Sequence, residues 1–177
     1  ADLLAWWERM STDVEFYRNW IDRHRALGSE PLVSPGAWTW NRFWAQLPFA
    51  FATMGPCMQA CKEKKVREVF LTAWGDDGAE HDIYSVLPAL QFFAEHAYAE
   101  ELDEKLMRAN FRGACAADFD DWVLASRIDC SNRPSERTEP PSNIGKSLLW
   151  QDPMLALLDA NLQGAGLKGH YGRLKRT

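Results

Sequence analysis

From Trp74 to Asp82 the sequence reads Trp-Gly-Asp-Asp-Gly-Ala-Glu-His-Asp, so Asp76, Asp77, Glu80 and His81 follow directly on the apolar run Val-Phe-Leu-Thr-Ala. Ionised carboxylates only accept hydrogen bonds, so such a cluster suits a ligand rich in hydroxyl donors. Acids beside glycine are also ordinary turn chemistry at the end of a strand, and solvated turn acids account for the same residues. His81 is the one histidine beside this turn; His24, between Arg23 and Arg25, reads as a solvated or capping residue.

Tryptophan is the second chemical feature. Nine tryptophans in 177 residues exceed what a core needs, and Trp6, Trp7, Trp38, Trp40, Trp44 and Trp74 fall at or near the ends of expected strands. An indole presents a flat apolar face with one polar edge, which suits the apolar face of a sugar or another ring-shaped ligand. Core packing accounts for the same residues. Cys57 and Cys61, four apart, share a helix face, while Cys115 and Cys130 are isolated and no CxxC or HxxxH pair occurs. The cysteines are therefore read as buried free thiols in a reducing compartment, with no metal site. The sequence contains no Gly-rich phosphate loop and no local signature of a Ser-His-Asp or Cys-His triad.

The elements that must position these residues alternate in the first half. Residues 1–7 (ADLLAWW) read as a strand; Thr12 and Glu15 then stand at capping-box spacing before Phe16, Trp20, Ile21 and Leu27, and Gly28 closes the helix. Residues 30–40 (EPLVSPGAWTW) form a second strand ending in aromatics, Pro56 opens a helix running through Met58, Cys61 and Lys65, and residues 66–74 (VREVFLTAW) form a third strand. A helix follows over residues 83–98. Strands separated by helices imply parallel pairing through crossovers. After residue 98 the strands stop, and EELDEKLMRANF, AADFDDWVLASRI and DPMLALLDANL read as amphipathic helices around the Pro- and Ser-rich loop NRPSERTEPPSN.

Composition bounds the partners. With 46% hydrophobic and 25% charged residues a folded, soluble chain is expected, and a net charge of -5 argues against nucleic acid and anionic membranes. No apolar run has the length of a membrane span, and no secretory leader is read at Ala1.

Three segments in this order, SPGAWTWNRF, VFLTAWGDDGAE and KSLLWQDPMLALLD, resemble the later part of a glycoside hydrolase family 20 β-N-acetylhexosaminidase. The resemblance runs from about residue 3 to 160, and its branch is the single-barrel, unsecreted group in which a (β/α)8 barrel precedes a large helical domain. It implies an α/β fold, with residues 1–98 as the last strand-helix units of a partial TIM barrel and residues 99–177 as the start of an α-helical domain. It also implies a cytoplasmic location and no cofactor. Substrate would bind at the C-terminal ends of the barrel strands. There Trp38, Trp40 and Trp74 would wall the ring and acetamido group, while Asp76 or Asp77 and Glu80 would accept from hydroxyls.

In that family the acetamido oxygen attacks the anomeric carbon, a Glu protonates the leaving oxygen, and the adjacent Asp orients the acetamido group. That pair belongs near the fourth barrel strand, whereas this chain aligns from about the sixth. Its own Asp103-Glu104 reads as the solvated middle of a charged helix. Trp7-Glu8-Arg9-Met10 stands where relatives carry a Trp-Asp-Tyr-Tyr run, so either the register differs there or the tyrosine donor's role is lost, since Met10 cannot donate. The chain is thus expected to supply substrate walls and no catalytic residue. The remainder of the barrel or another chain is its expected partner, and a terminal β-linked N-acetylhexosamine its expected ligand. The alternative expectation is a non-catalytic barrel remnant that binds amino sugar or another protein.

Overall fold

A computed structural model of the chain describes residues 11–40, 42–75 and 80–129, together with positions 149, 154, 155, 169, 172, 174 and 175. Its helices are α1 (Val14–Ala26), α2 (Leu47–Glu63), α3 (Leu87–Tyr98), α4 (Glu104–Cys115) and α5 (Phe119–Ala125), and a 3-10 turn, Ile83–Val86, leads into α3. Two parallel strands, β1 (Leu32–Val33) and β2 (Glu68–Val69), flank α2 in sequence and pair Leu32 with Glu68 and Val33 with Val69.

This overturns the expected partial (β/α)8 barrel. The described residues are mostly helical, and their sheet is one pair of two-residue strands rather than a series of barrel strands. The apolar runs read as strands of nine to eleven residues leave regular pairing early. Pro35 has no N–H for a ladder, and Gly36 makes only an isolated bridge to Thr72. The first expected strand, the loop NRPSERTEPPSN and the helix DPMLALLDANL lie outside the described residues, apart from Met154 and Leu155 of the last.

Local chemistry sets the helix ends. Asp13, not Thr12, caps α1, its carboxylate accepting from Glu15 N at 3.0 Å. Gly28 closes α1 at φ 84°, with its N–H on Arg25 O at 2.9 Å. Asp103 is neither mid-helix nor a free surface acid: it caps α4 by accepting from Lys105 N and Leu106 N, and Asp118 caps α5 in the same way. Helix α2 starts at Leu47 with Pro48 in its first turn, so Pro56 lies inside it rather than at its start.

Helix α2 is the centre of the core. One face meets α1 and β1 through Tyr17, Ile21, Val33, Cys57, Ala60 and Cys61. Another meets α3 and the segment after β1 through Ala37, Ala45, Leu47, Met54, Met58, Val86 and Ala89. Phe51 of α2 stacks on Phe119 of α5 at 5.7 Å and meets Phe92 of α3 at 4.7 Å, joining α2 to the later helices. Cys57 and Cys61 are free and buried.

Candidate functional site

Beyond the two short strands the chains stay side by side. Phe70 N donates to Val33 O at 3.1 Å, Thr72 N to Pro35 O at 3.0 Å and Ala37 N to Thr72 O at 2.8 Å. The register then passes to a side chain. The Thr39 hydroxyl accepts from Trp74 N at 2.8 Å and donates to Trp74 O at 2.7 Å, and Thr39 itself is fully buried. One hydroxyl therefore satisfies both backbone groups of Trp74 and brings the Trp38-Thr39-Trp40 segment beside the end of the second chain.

The three tryptophans differ in burial. Trp38 is 4% exposed and belongs to the core, packed edge-on to Phe49 at 4.5 Å and against Trp40 at 4.2 Å with an angle of 44°. Trp40 and Trp74 are half-buried, as are Glu80 and His81. Asp76 and Asp77 lie outside the described residues. His81 has both ring nitrogens buried with no hydrogen-bond partner, and the Trp38 and Trp44 indole N–H groups are likewise buried and unpartnered.

The described residues 38–40 and 42–46 belong to a loop closed at its base, where Gln46 N donates to Trp38 O at 2.9 Å. Two neighbouring segments pin it. On one side, Asp82 N donates to Phe43 O at 2.9 Å and Ala45 N donates to Ser85 Oγ at 2.9 Å. On the other stands Asp129, whose Oδ2 accepts from Phe43 N at 2.5 Å. Arg42 Nη1 donates to Asp129 O at 2.6 Å and lies 3.5 Å from Oδ1, with both side chains completely buried. Burial pushes the Asp129 carboxyl above its usual range, opposed by the Arg42 charge and by backbone N–H groups including those of Phe43 and Trp44. Trp122 of α5 also meets Trp44 at 5.6 Å.

Sequence reasoning missed Thr39, Arg42, Ser85 and Asp129. Thr39 sits between two tryptophans in a stretch already read as a strand end, which offered a usable signal. Arg42 and Asp129 are 87 positions apart, and no periodicity or motif connects them. Among the described residues no group of three or more His, Cys, Asp or Glu could hold a metal ion.

Residues 120–177 match the family model described as the Glycoside Hydrolase 20C C-terminal domain. The match begins inside α5 and includes both Trp122 and Asp129. No curated protein matches the chain at a significant level.

Proposed function

We propose, from the premise that the chain is a carboxy-terminal portion of a glycoside hydrolase family 20 protein, that its Trp40, Trp74 and Glu80 form part of a wall for a terminal β-linked N-acetylhexosamine. Trp38 backs this wall from the core, and Asp76 or Asp77, which lie outside the described residues, would add a further acceptor. The observation that carries the reading is the Thr39 hydroxyl bridging both backbone groups of Trp74, which holds two tryptophan-bearing chain ends side by side and close in sequence to Glu80. Indole faces cover the apolar faces of a sugar ring, and a carboxylate beside them accepts from hydroxyls. A pocket built to accept from a particular hydroxyl discriminates strongly against sugars that lack it.

In this reading the protein is a β-N-acetylhexosaminidase working by substrate assistance, with the acetamido group as nucleophile. The residues of this chain bind and orient. The Asp–Glu pair that the family uses for acetamido orientation and proton donation has no counterpart at the described chain ends, since Asp103 and Glu104 lie at the exposed start of α4. The reacting carboxylates then come from other polypeptide.

Two measurements on the chain test the reading. A chromogenic β-N-acetylglucosaminide should not be hydrolysed. N-acetylglucosamine should change the tryptophan emission saturably, glucose should do so far less, and Trp74→Ala should abolish the response while the helical circular dichroism is kept. A folded chain whose emission ignores N-acetylglucosamine overturns the wall. A response without any hydrolysis in the longer protein favours the non-catalytic amino-sugar module.

A further inference from the structure

The loop that carries the tryptophans is tied to Asp129 by a buried ion pair through its own Arg42, and that pair calls for an explanation. Arg42 and Asp129 are both fully buried, and their attraction must offset the removal of two charges from water. Apolar residues of similar volume commonly serve stability as well or better, so stability alone is a poor reason for such a pair. The better-attested use of buried charge is to fix one arrangement among several. What this pair fixes can be read from its partners. The Asp129 carboxylate accepts from the backbone N–H of Phe43, and its own carbonyl accepts from Arg42. Both contacts fall within the 38–46 loop, whose base is the Gln46–Trp38 hydrogen bond.

A second observation points the same way. Trp122, one turn into α5, packs on Trp44 at 5.6 Å. Trp122 and Asp129 both lie in the stretch that matches the C-terminal domain family. The stretch that matches the C-terminal domain family therefore grips the loop at two places, one apolar and one charged.

We propose that Asp129, acting with Arg42, is a positioning residue that sets the register of the 38–46 loop and thereby the placement of Trp38 and Trp40. Through this clamp the C-terminal domain controls the affinity of the aromatic wall. The consequence for binding rests on the amino-sugar reading above; the clamp itself does not.

The test is Asp129→Asn in the full chain, with Asp129→Glu as the conservative partner. Amide hydrogen exchange is measured over residues 38–46 and over α4, and N-acetylglucosamine affinity is followed by tryptophan emission. Asn keeps the shape and one acceptor but loses the charge. We expect exchange across the loop to rise at least tenfold, α4 to stay within about twofold, and affinity to fall about tenfold. Asp129→Glu, which keeps the charge, should recover part of both losses. Loop exchange that does not change overturns the clamp. So does a uniform rise across loop and α4, which makes Asp129 a folding residue only. A loosened loop with parental affinity overturns its control of the wall. If the parent chain binds no amino sugar, the wall reading fails while the exchange result still decides the clamp.

Discussion

Trp38 occupies the left-handed region at φ 57° although it is a large side chain and almost fully buried. A non-glycine residue held there costs about 1–3 kcal/mol. Its packing against Phe49 and Trp40 offsets that cost. The usual order of Ala and Gly should therefore invert at this position. Trp38→Ala and Trp38→Gly both empty the site at roughly 3–5 kcal/mol, but Gly relieves the backbone and should be the less destabilised by about 1 kcal/mol in urea titrations. An Ala variant as stable as the Gly variant would mean that packing imposes no strain. Glu80 carries the prediction that belongs to binding. On the proposed hexosaminidase reading, Glu80→Gln in an intact enzyme that contains this chain should lower kcat/KM roughly ten- to a hundredfold, since a charged hydrogen bond contributes about 1.5–3 kcal/mol. The melting temperature should hardly move, and unchanged kinetics would return Glu80 to a turn acid. At this scale the aromatic and acidic residues were legible because their types and local clustering carry the signal. Arg42 and Asp129 were not, since their partnership exists only after the helices between them have packed.

Helix ends translate more directly from sequence. Gly28 was read as the stop of the first helix, and it closes α1 with the chain turned left-handed. Lys65 ends α2 by the same geometry without glycine: at φ 53° its N–H bonds Lys62 O at 3.0 Å, while Val66 N bonds Cys61 O at 2.9 Å. Lys65 is exposed, so nothing from its side chain compensates through burial. Lys65→Gly should raise stability by about 0.5–1 kcal/mol, the left-handed penalty removed less the greater freedom of glycine in the unfolded chain. That corresponds to a melting temperature higher by roughly 1–4 °C, and a fall on substitution would mean that the lysine makes a favourable contact at the cap. The start of α2 misled for an instructive reason. Pro48 and Pro56 both occur in the run, and either suits a first turn; the helix begins at Leu47, with Pro48 in its first turn, because Leu47, Phe49, Ala50, Thr53 and Met54 are buried on its inner face. Packing outweighs the roughly 3 kcal/mol that an interior proline costs.

The whole molecule departs from the expected barrel because alternation of apolar runs and helices does not specify how long regular pairing lasts. Two runs that looked like full strands pair for two residues each and then hand their register to Thr39, so most of the described chain buries itself helix on helix. In such a core a titrating group between helices couples pH to global stability. His96, near the end of α3, packs on Phe92 at 4.5 Å, and its Nε2 is buried with no hydrogen-bond partner. Burial first, and then the Lys62 charge from α2, lower its pKa below the ordinary 6.5. The unfolded chain therefore takes up this proton at a higher pH than the fold does. The stability associated with neutral His96 is fully present above about pH 6.5 and is lost as the pH falls through that value toward the folded pKa. Asp129 works in the opposite sense, because its raised pKa lets the fold take up a proton more readily than the unfolded chain. Glu30, Glu63 and Asp118, whose pKa values are lowered, lose their contributions only as the pH falls through the carboxylate range toward their folded values, below about pH 5.5. Urea midpoints at about pH 7.5 and 5.5 should therefore show a decrease for the parent chain. His96→Leu keeps an apolar contact with Phe92 and has no titrating nitrogen. Its midpoint should fall less than the parent's, and an identical fall would place the pH sensitivity on another group.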